Sequence, residues 1–433
     1  MKPKTRSYTV EKRCGMPVYV EARRLPDLPD RPSQINDKDV PPGKILRAGT
    51  SRVDVTPSEP SKATKSGGFL HMPPTGVHDR LYVRALVLDN GQERLAIISW
   101  DKINVCGFNE VARIRREINK RTGIPPGNIL IGATHTHAGC DAAFSEASIK
   151  AVTQAWEGMK KARIGVGSRM IYGIGASRRM PDGTGLWNAN QPNPHGVMDN
   201  ECGVIRVEDE KRNIIAVVVN YSAHPSVIAG GNSLISGDYP GIGMQEIEKR
   251  LGGGALALFL QGCAGDTGTQ AFRKSRTIPE AERLGKKLAD EAMGILKNID
   301  VTGWMELDGK NRMILLPQKK HDPTRRRSPK TIEGRNHIRD EIQALIIGDL
   351  LIFVLGSMEP YVEIGLMIKD ASPFKHTFVL GYANGPWLGY VPTPHGYAIN
   401  DPEARQTPFT PETPKVLITE SLKLIGEMKP PKK

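Results

Sequence analysis

The chain contains no apolar run approaching the roughly 20 residues that a membrane-spanning helix requires, so no transmembrane segment is expected. It also lacks any Cys-x-x-Cys pair. Its five cysteines, Cys14, Cys106, Cys140, Cys202 and Cys263, leave an odd thiol, which argues against both a disulfide framework and a zinc ribbon and suits a reducing compartment. The N-terminal MKPKTRSYTVEKRCG carries charges but no apolar core, so a secretory signal is absent as the chain is written and a cytoplasmic location is expected. Aromatic residues are few, at 6%, and none interleaves with the densest basic stretch, where bases would need a stacking surface. No internal repeat has the period of a solenoid.

What is present describes a globular protein. Across 433 residues, 39% are hydrophobic and 25% charged, the balance of a folded soluble chain rather than a disordered one. Lys plus Arg number 60 against 47 Asp plus Glu, a net charge of +13. The excess concentrates in QKKHDPTRRRSPK (residues 318–330) and at the two ends. Pro and Ser within that cluster mark a solvated loop, suited to peripheral contact with anionic surfaces rather than to nucleic acid recognition. Residues 1–44 are polar, basic and dotted with proline, the composition of an irregular arm. A single catalytic domain over 45–433 is expected to follow, beginning with an edge strand in ILRAGTSRVDVTP.

Beyond Ile45 the pattern alternates. Apolar runs such as LAIISW, NILIGA, IIAVVVNYSA, ALALFLQG, LIFVLG and HTFVLG read as strands. Residues 108–122 space their apolar side chains for a helix, which Gly123 and the Pro125–Pro126 pair stop. Further helices are expected over 145–162, 241–251, 280–299 and 420–427. Strand, helix, strand order predicts an α/β fold of mixed sheets flanked by helices, with functional residues at the strand ends.

The chemistry collects at those ends. NILIGATHTHAGC runs from an apolar strand into His135 and His137, which in extended backbone would share a face while Thr136 points away. The pair would either share one metal, or divide so that one binds it and the other acts beside it; a turn with solvated histidines is the plainer alternative. His224 follows another strand, Glu359 follows LIFVLGSM, and Tyr390 lies beyond a further strand. Two imidazoles, a carboxylate and one open or weakly held position make the ligand set of a hydrolytic Zn²⁺ site. Asp101 ends the strand LAIISW, and loop residues His71, His78, Asp79, Arg178, Arg179 and His195 are candidates to line a site.

The blocks ATHTHAG, YSAHPSV with ISGDYPG, FLQGCAGD, GSMEPYVEIG and GYANGPWLGYVPT, in this order, resemble those of the neutral/alkaline non-lysosomal ceramidase family from about Ile45 to Ile425. The resemblance implies a zinc hydrolase that cleaves the amide of N-acylated lipids with a metal-activated water, and a small-molecule or lipid-like substrate. It puts His135, His224, Glu359 and Tyr390 on the zinc ligands and His137 on the substrate side. Arg178 in ASRRM falls on the family's arginine, with Asp266 or Asp101 behind the ligands, and Tyr397 is the nearest equivalent of a later tyrosine. Secretion, usual in such a family, is the alternative to a cytoplasmic location.

Departures accompany the matches. Gly268 stands where the family has its catalytic serine, and neither Thr267 nor Thr269 is in register to replace it. Cys263 has no neighbouring histidine in sequence and reads as a structural thiol. The final helix is reached without the β-sandwich domain that follows in the ceramidases. An esterase, a hydrolase of a polar amide or sugar derivative, and an inactive metal-stabilised binding protein are therefore the alternative readings.

Overall fold

The computed structural model describes residues 9–13, 16–20, 40, 44–64, 73–181, 187–188, 191–193, 195–229, 232–320 and 335–428. His71, Cys14 and most of the basic cluster at 318–330 lie outside them. Within the N-terminal arm, Thr9–Arg13 and Met16–Val20 pair as an antiparallel hairpin.

Eight strands form the larger sheet: β1 (Arg47–Asp54), β2 (Tyr82–Asp89), β3 (Arg94–Trp100), β4 (Ile129–Ala133), β5 (Lys160–Met170), β6 (Glu201–Asp209), β7 (Ile214–Tyr221) and β8 (Leu256–Gln261). Their order is β8-β7-β6-β5-β1-β2-β3-β4. The outermost pairs, β7–β8 and β3–β4, are parallel and the inner ones antiparallel. A second sheet holds β9 (Leu307–Pro317), β10 (His337–Ile347), β11 (Leu350–Val354) and β12 (His376–Leu380) in sequential order. The architecture is mixed α/β, as the strand and helix pattern predicts. β1 is not an edge strand, however: Arg47 and Ala48 pair with Lys161 and Lys160 of β5 while the whole strand pairs with β2.

Period-two burial sorts the strands into layers. Leu86, Leu88, Ile97, Leu130, Val218 and Leu258 turn toward the second sheet and meet Leu345, Ile352 and Phe378 in one apolar cluster. Their sequence neighbours turn the other way. Val87, Ile98 and Ile131 pack under α1 (Phe108–Thr122) and α2 (Phe144–Glu157). Val217, Val219 and Phe259 pack under α3 (Asp238–Leu251) and α4 (Ile278–Leu296). The far face of the second sheet is covered by α5 (Val362–Ala371) and, beyond the short helices α6 (Pro394–Ala398) and α7 (Pro402–Gln406), by α8 (Thr413–Glu427). The result is four layers, helix on sheet on sheet on helix.

The helix at 108–122 coincides with its sequence pattern, Gly123 closing it at φ 71°. The second helix ends earlier than its pattern suggests, at Glu157, because Gly158 terminates it and Lys160–Ala162 enter β5. α8 starts earlier, at Thr413, with Pro414 in its first turn, where a missing N–H costs nothing.

The larger sheet is curled. β4 and β7 lie six places apart, which in a flat sheet would separate them by about 29 Å at about 4.8 Å per strand. Instead β8 packs against β3 and β4, and Ser99 Oγ of β3 donates to the Phe259 carbonyl of β8 at 2.7 Å. The segment after β12 spans both edges, bridging Leu380 to Gly262 and Ala383 to Gly132.

Gly203 of β6 marks a tight contact between the sheets, since a Cβ there would stand 2.0 Å from Phe378 Cε1. Gly203→Ala should destabilise the protein by about 1–3 kcal/mol in chemical denaturation through overpacking. Gly426→Ala, on a helix face with nothing within 4 Å, should be neutral or stabilise by a few tenths of a kcal/mol. Equal effects of the two would contradict this packing.

Candidate metal centre

The curl brings together the loops that leave β4 and β7. His135 adopts φ 65°, a left-handed conformation uncommon for a residue other than glycine. The chain is therefore turned rather than extended at this point, which changes the basis of the His-Thr-His reading but not its outcome. His135 Nε2 lies 3.2 Å from His224 Nε2, His137 Nε2 lies 3.4 Å from His135 Nε2, and His137 and His224 are 2.8 Å apart. His135 and His224 are each 1% exposed, whereas His137 is half-buried.

Backbone contacts hold the two loops in place. His137 N donates to the Pro225 carbonyl, Thr136 Oγ1 to the Ser236 carbonyl, and Ser236 N to the Ala138 carbonyl. Tyr239 Oη donates to the Ala223 carbonyl at 2.6 Å, and Asp238 accepts from Ile228 N at 3.1 Å. The residues of ISGDYPG thus serve as the frame on which both histidine loops sit.

The outer ring nitrogens decide what the inner ones can do. His135 Nδ1 faces the Ile103 carbonyl at 2.7 Å and His224 Nδ1 faces the Ala264 carbonyl at 3.2 Å. A carbonyl accepts only, so each Nδ1 carries the proton and each Nε2 presents a lone pair. Burial, followed by Arg178, His135 and His137, holds His224 well below the usual imidazole range, so His224 does not relieve the crowding of lone pairs by taking up a proton. A cation does. Donor nitrogens about 2.0–2.1 Å from a tetrahedral zinc-sized ion stand about 3.3 Å apart, close to the 3.2 and 3.4 Å separations from His135, while His137 and His224 stand closer, at 2.8 Å. The group His135, His137 and His224 could hold a metal ion.

A carboxylate completes the concavity. Glu359 Oε1 accepts from Trp387 Nε1 at 2.7 Å, while its buried Oε2 has no hydrogen-bond donor and lies 3.4 Å from His135 Nε2. Tyr390 pairs with Glu359 in a two-residue parallel ladder, and its hydroxyl is 3.5 Å from Arg178 Nη2. Burial and then Glu359 push its phenol above the usual range. Tyr382, on a turn at φ 57°, lays its ring 4.2 Å from that of His135.

Arg178 is buried, donates to the Gly265 carbonyl at 2.8 Å, and leaves Nε without a partner. Behind it lies a network that sequence reasoning did not anticipate. Arg179 is ion-paired to Asp401 and Glu403, both at 2.8 Å, and Glu403 lies 3.6 Å from Arg178. Nothing local in NDPEA signals this role, because the partners meet only through the α6–α7 turn. Asp266 accepts from Val362 N at 2.8 Å, and its own carbonyl accepts from Arg178 N. It thus braces the site from behind.

Other candidates are placed elsewhere. Tyr397 donates its hydroxyl to the Phe409 carbonyl at 3.0 Å, a structural bond within the C-terminal segment. Asp101 is fully buried against Arg84 at 2.6 Å and Tyr82 N at 2.9 Å, an ion pair of the core rather than a support for the histidines. His78 faces Glu282, Asp79 accepts from Ser236 Oγ and Gly237 N, and His195 is exposed. Cys263 is buried and burial raises its thiol pKa, consistent with a structural role. Thr267 donates to the Ser222 carbonyl at 2.8 Å. At Gly268 a Cβ would meet Gln270 Oε1 at 2.3 Å, so the glutamine amide occupies that space.

No protein-family model matches the chain. It is 27% identical to neutral ceramidase A of Dictyostelium discoideum over 234 residues, 47% of this chain and 32% of that protein. It is likewise 27% identical to neutral ceramidase B of the same organism over 209 residues, 42% of this chain and 29% of that protein. The matched part spans about a third of the length of these relatives. Among solved structures, a ceramidase complexed with C2 superposes with a TM-score of 0.74 at 16% identity, covering 90% of this chain and 76% of that one. The neutral ceramidase of Pseudomonas aeruginosa gives 0.73 at 17% identity with the same coverage. The fold is that of the neutral ceramidases, and the resemblance read from the sequence blocks is borne out. No helix among the described residues is long and apolar enough to cross a membrane.

The frame residue Asp238 yields a test. Burial, opposed by the Tyr239 and Ile228 amides, raises its pKa to about 6, against about 3.9 unfolded. The native state therefore binds the proton more tightly, and the stability this contributes is full below about pH 4 and lost as pH rises through about 6. Asp238→Asn tolerates the same left-handed backbone, φ 53°, and cannot titrate. The stability of wild type relative to the variant should fall by about 2–3 kcal/mol between pH 4 and 7 in denaturant titrations. A difference independent of pH would contradict the burial of this carboxyl.

Proposed function

We propose that this protein is a metal-dependent hydrolase that cleaves the amide bond of an N-acylated, lipid-like substrate. The observation that carries the reading is the convergence of three Nε2 atoms beside a Glu359 oxygen that no protein donor satisfies. The partial identity to proteins named neutral ceramidases supports the bond type.

In this reading His135, His224 and Glu359 hold the ion, with Tyr390 joining them from its place beside Glu359. Zinc suits nitrogen and oxygen donors in a tetrahedral set. When bound, it supplies Lewis acidity and lowers the pKa of water. His137 is the least buried of the three histidines and is assigned to the substrate side, where its Nε2 moves a proton during cleavage. Arg178, with an unpartnered Nε, binds the oxygen on which negative charge develops. Asp266, Arg179 and Glu403 fix that arginine rather than touch substrate. Tyr397 is given no part, since its hydroxyl is committed to Phe409.

With Gly268 at the position of the family's serine and Gln270 filling the space, no side-chain nucleophile is available there, and the reading leaves attack to water. This favours direct attack of water on the amide carbonyl over a route through an acylated enzyme.

Metal analysis and turnover of a fluorogenic N-acyl amide test the assignment together. His135→Ala and His224→Ala should lose both bound zinc and activity. His137→Ala should keep the ion and lower kcat by about 10²–10⁴-fold. Loss of the ion from His137→Ala would make it a third nitrogen ligand, and full occupancy in the first two variants would overturn the site.

A further inference from the structure

Trp387 is one of the few large apolar side chains left exposed among the described residues, at 37%, yet its polar end is fixed inside the site. Nε1 donates to Glu359 Oε1 at 2.7 Å, which leaves Oε2 as the oxygen beside His135. The indole is held by its own strand connection. Glu359 N donates to the Gly389 carbonyl, and Gly389, at φ 115°, takes a conformation that only glycine adopts readily and so lets the chain fold Trp387 back over the carboxylate. Edge-to-face contact with Tyr390, centroids 6.4 Å apart at 87°, sets the ring plane. A solvent-facing aromatic ring is an unusual choice for a residue whose only task is to donate one hydrogen bond.

Resting on the metal-centre reading above, we infer that Trp387 has two roles. It is a positioning residue that orients Glu359 toward the ion, and its exposed face is the wall that receives the apolar portion of the substrate. The two are joined in one side chain: an acyl chain lying on the indole buries the ring and the Nε1–Oε1 hydrogen bond together, and strengthens that bond by excluding water from it. Outer partners of metal ligands commonly set affinity by about 10–100-fold, and a flat aromatic face supplies apolar contact without fixing chain length.

Two substitutions separate the roles. Trp387→Phe keeps a ring and loses the N–H donor. Trp387→Gln keeps an N–H donor at similar reach and loses the face. Binding of Co²⁺ as a spectroscopic probe, followed by its visible absorption, should weaken about 10–100-fold in Trp387→Phe with an altered band shape, and change less than about threefold in Trp387→Gln. KM for a lauroyl amide of a fluorogenic amine should rise about tenfold in Trp387→Gln, while KM for the acetyl amide of the same amine stays within about twofold. Near-UV circular dichroism confirms that both variants are folded. Wild-type affinity and spectrum in Trp387→Phe would overturn the positioning role, and equal KM changes for the two amides in Trp387→Gln would overturn the wall. Failure of the wild-type protein itself to bind Co²⁺ would overturn the metal reading on which both rest.

Discussion

The site depends on a curled sheet. His135 and His224 leave strands six places apart, and only closure of the sheet edges brings their imidazoles within 3.2 Å. The closure is held by the Ser99–Phe259 hydrogen bond, by Leu380 and Ala383 bridging the two edges, and by the apolar cluster that packs the second sheet inside the curve. The same segment delivers Tyr382 against His135 and leads on to Trp387 and Tyr390. Fold and site are therefore one construction, since the contacts that close the edges also set the separation of the histidines.

Electrostatics explains why such a cluster could hold a cation. Two imidazoles pinned through Nδ1 to carbonyls aim lone pairs at each other, and burial, followed by the neighbouring Arg178, discourages protonation of His224. Glu359 adds a carboxylate oxygen with no donor of its own. A buried arrangement of acceptors without donors costs free energy in any apoprotein, and a divalent ion reverses the sign of that cost. The Arg178–Arg179–Glu403 network behind the histidines provides compensated charge, so that two buried guanidiniums stand side by side without being stranded.

Much of this was legible from residues alone. Period-two apolar runs located most of the strands, and residues 108–122 showed their helix because Val111, Ile114 and Ile118 repeat at helical spacing and Gly123 ends it. The ends of those strands gave His135, His224 and Glu359. What was not legible depends on long-range geometry. β1 looked like an edge because nothing in its sequence reveals the two residues that pair with β5. His135 at positive φ could not be seen, since a His-Thr-His run reads equally well as extended chain. Asp401 and Glu403 meet Arg179 only through contacts distant in sequence, whereas Trp387 lies within GYANGPWLGYVPT but carries no pattern that separates an indole bonded to Glu359 from a core one.

The most direct test of the account is anomalous X-ray diffraction at the zinc edge from crystals of the protein grown with zinc. The account predicts one strong peak about 2.0–2.1 Å from the Nε2 atoms of His135 and His224 and near Glu359 Oε2. A peak held by other residues, or none at the histidine cluster while the ion is present in the crystal, would contradict it.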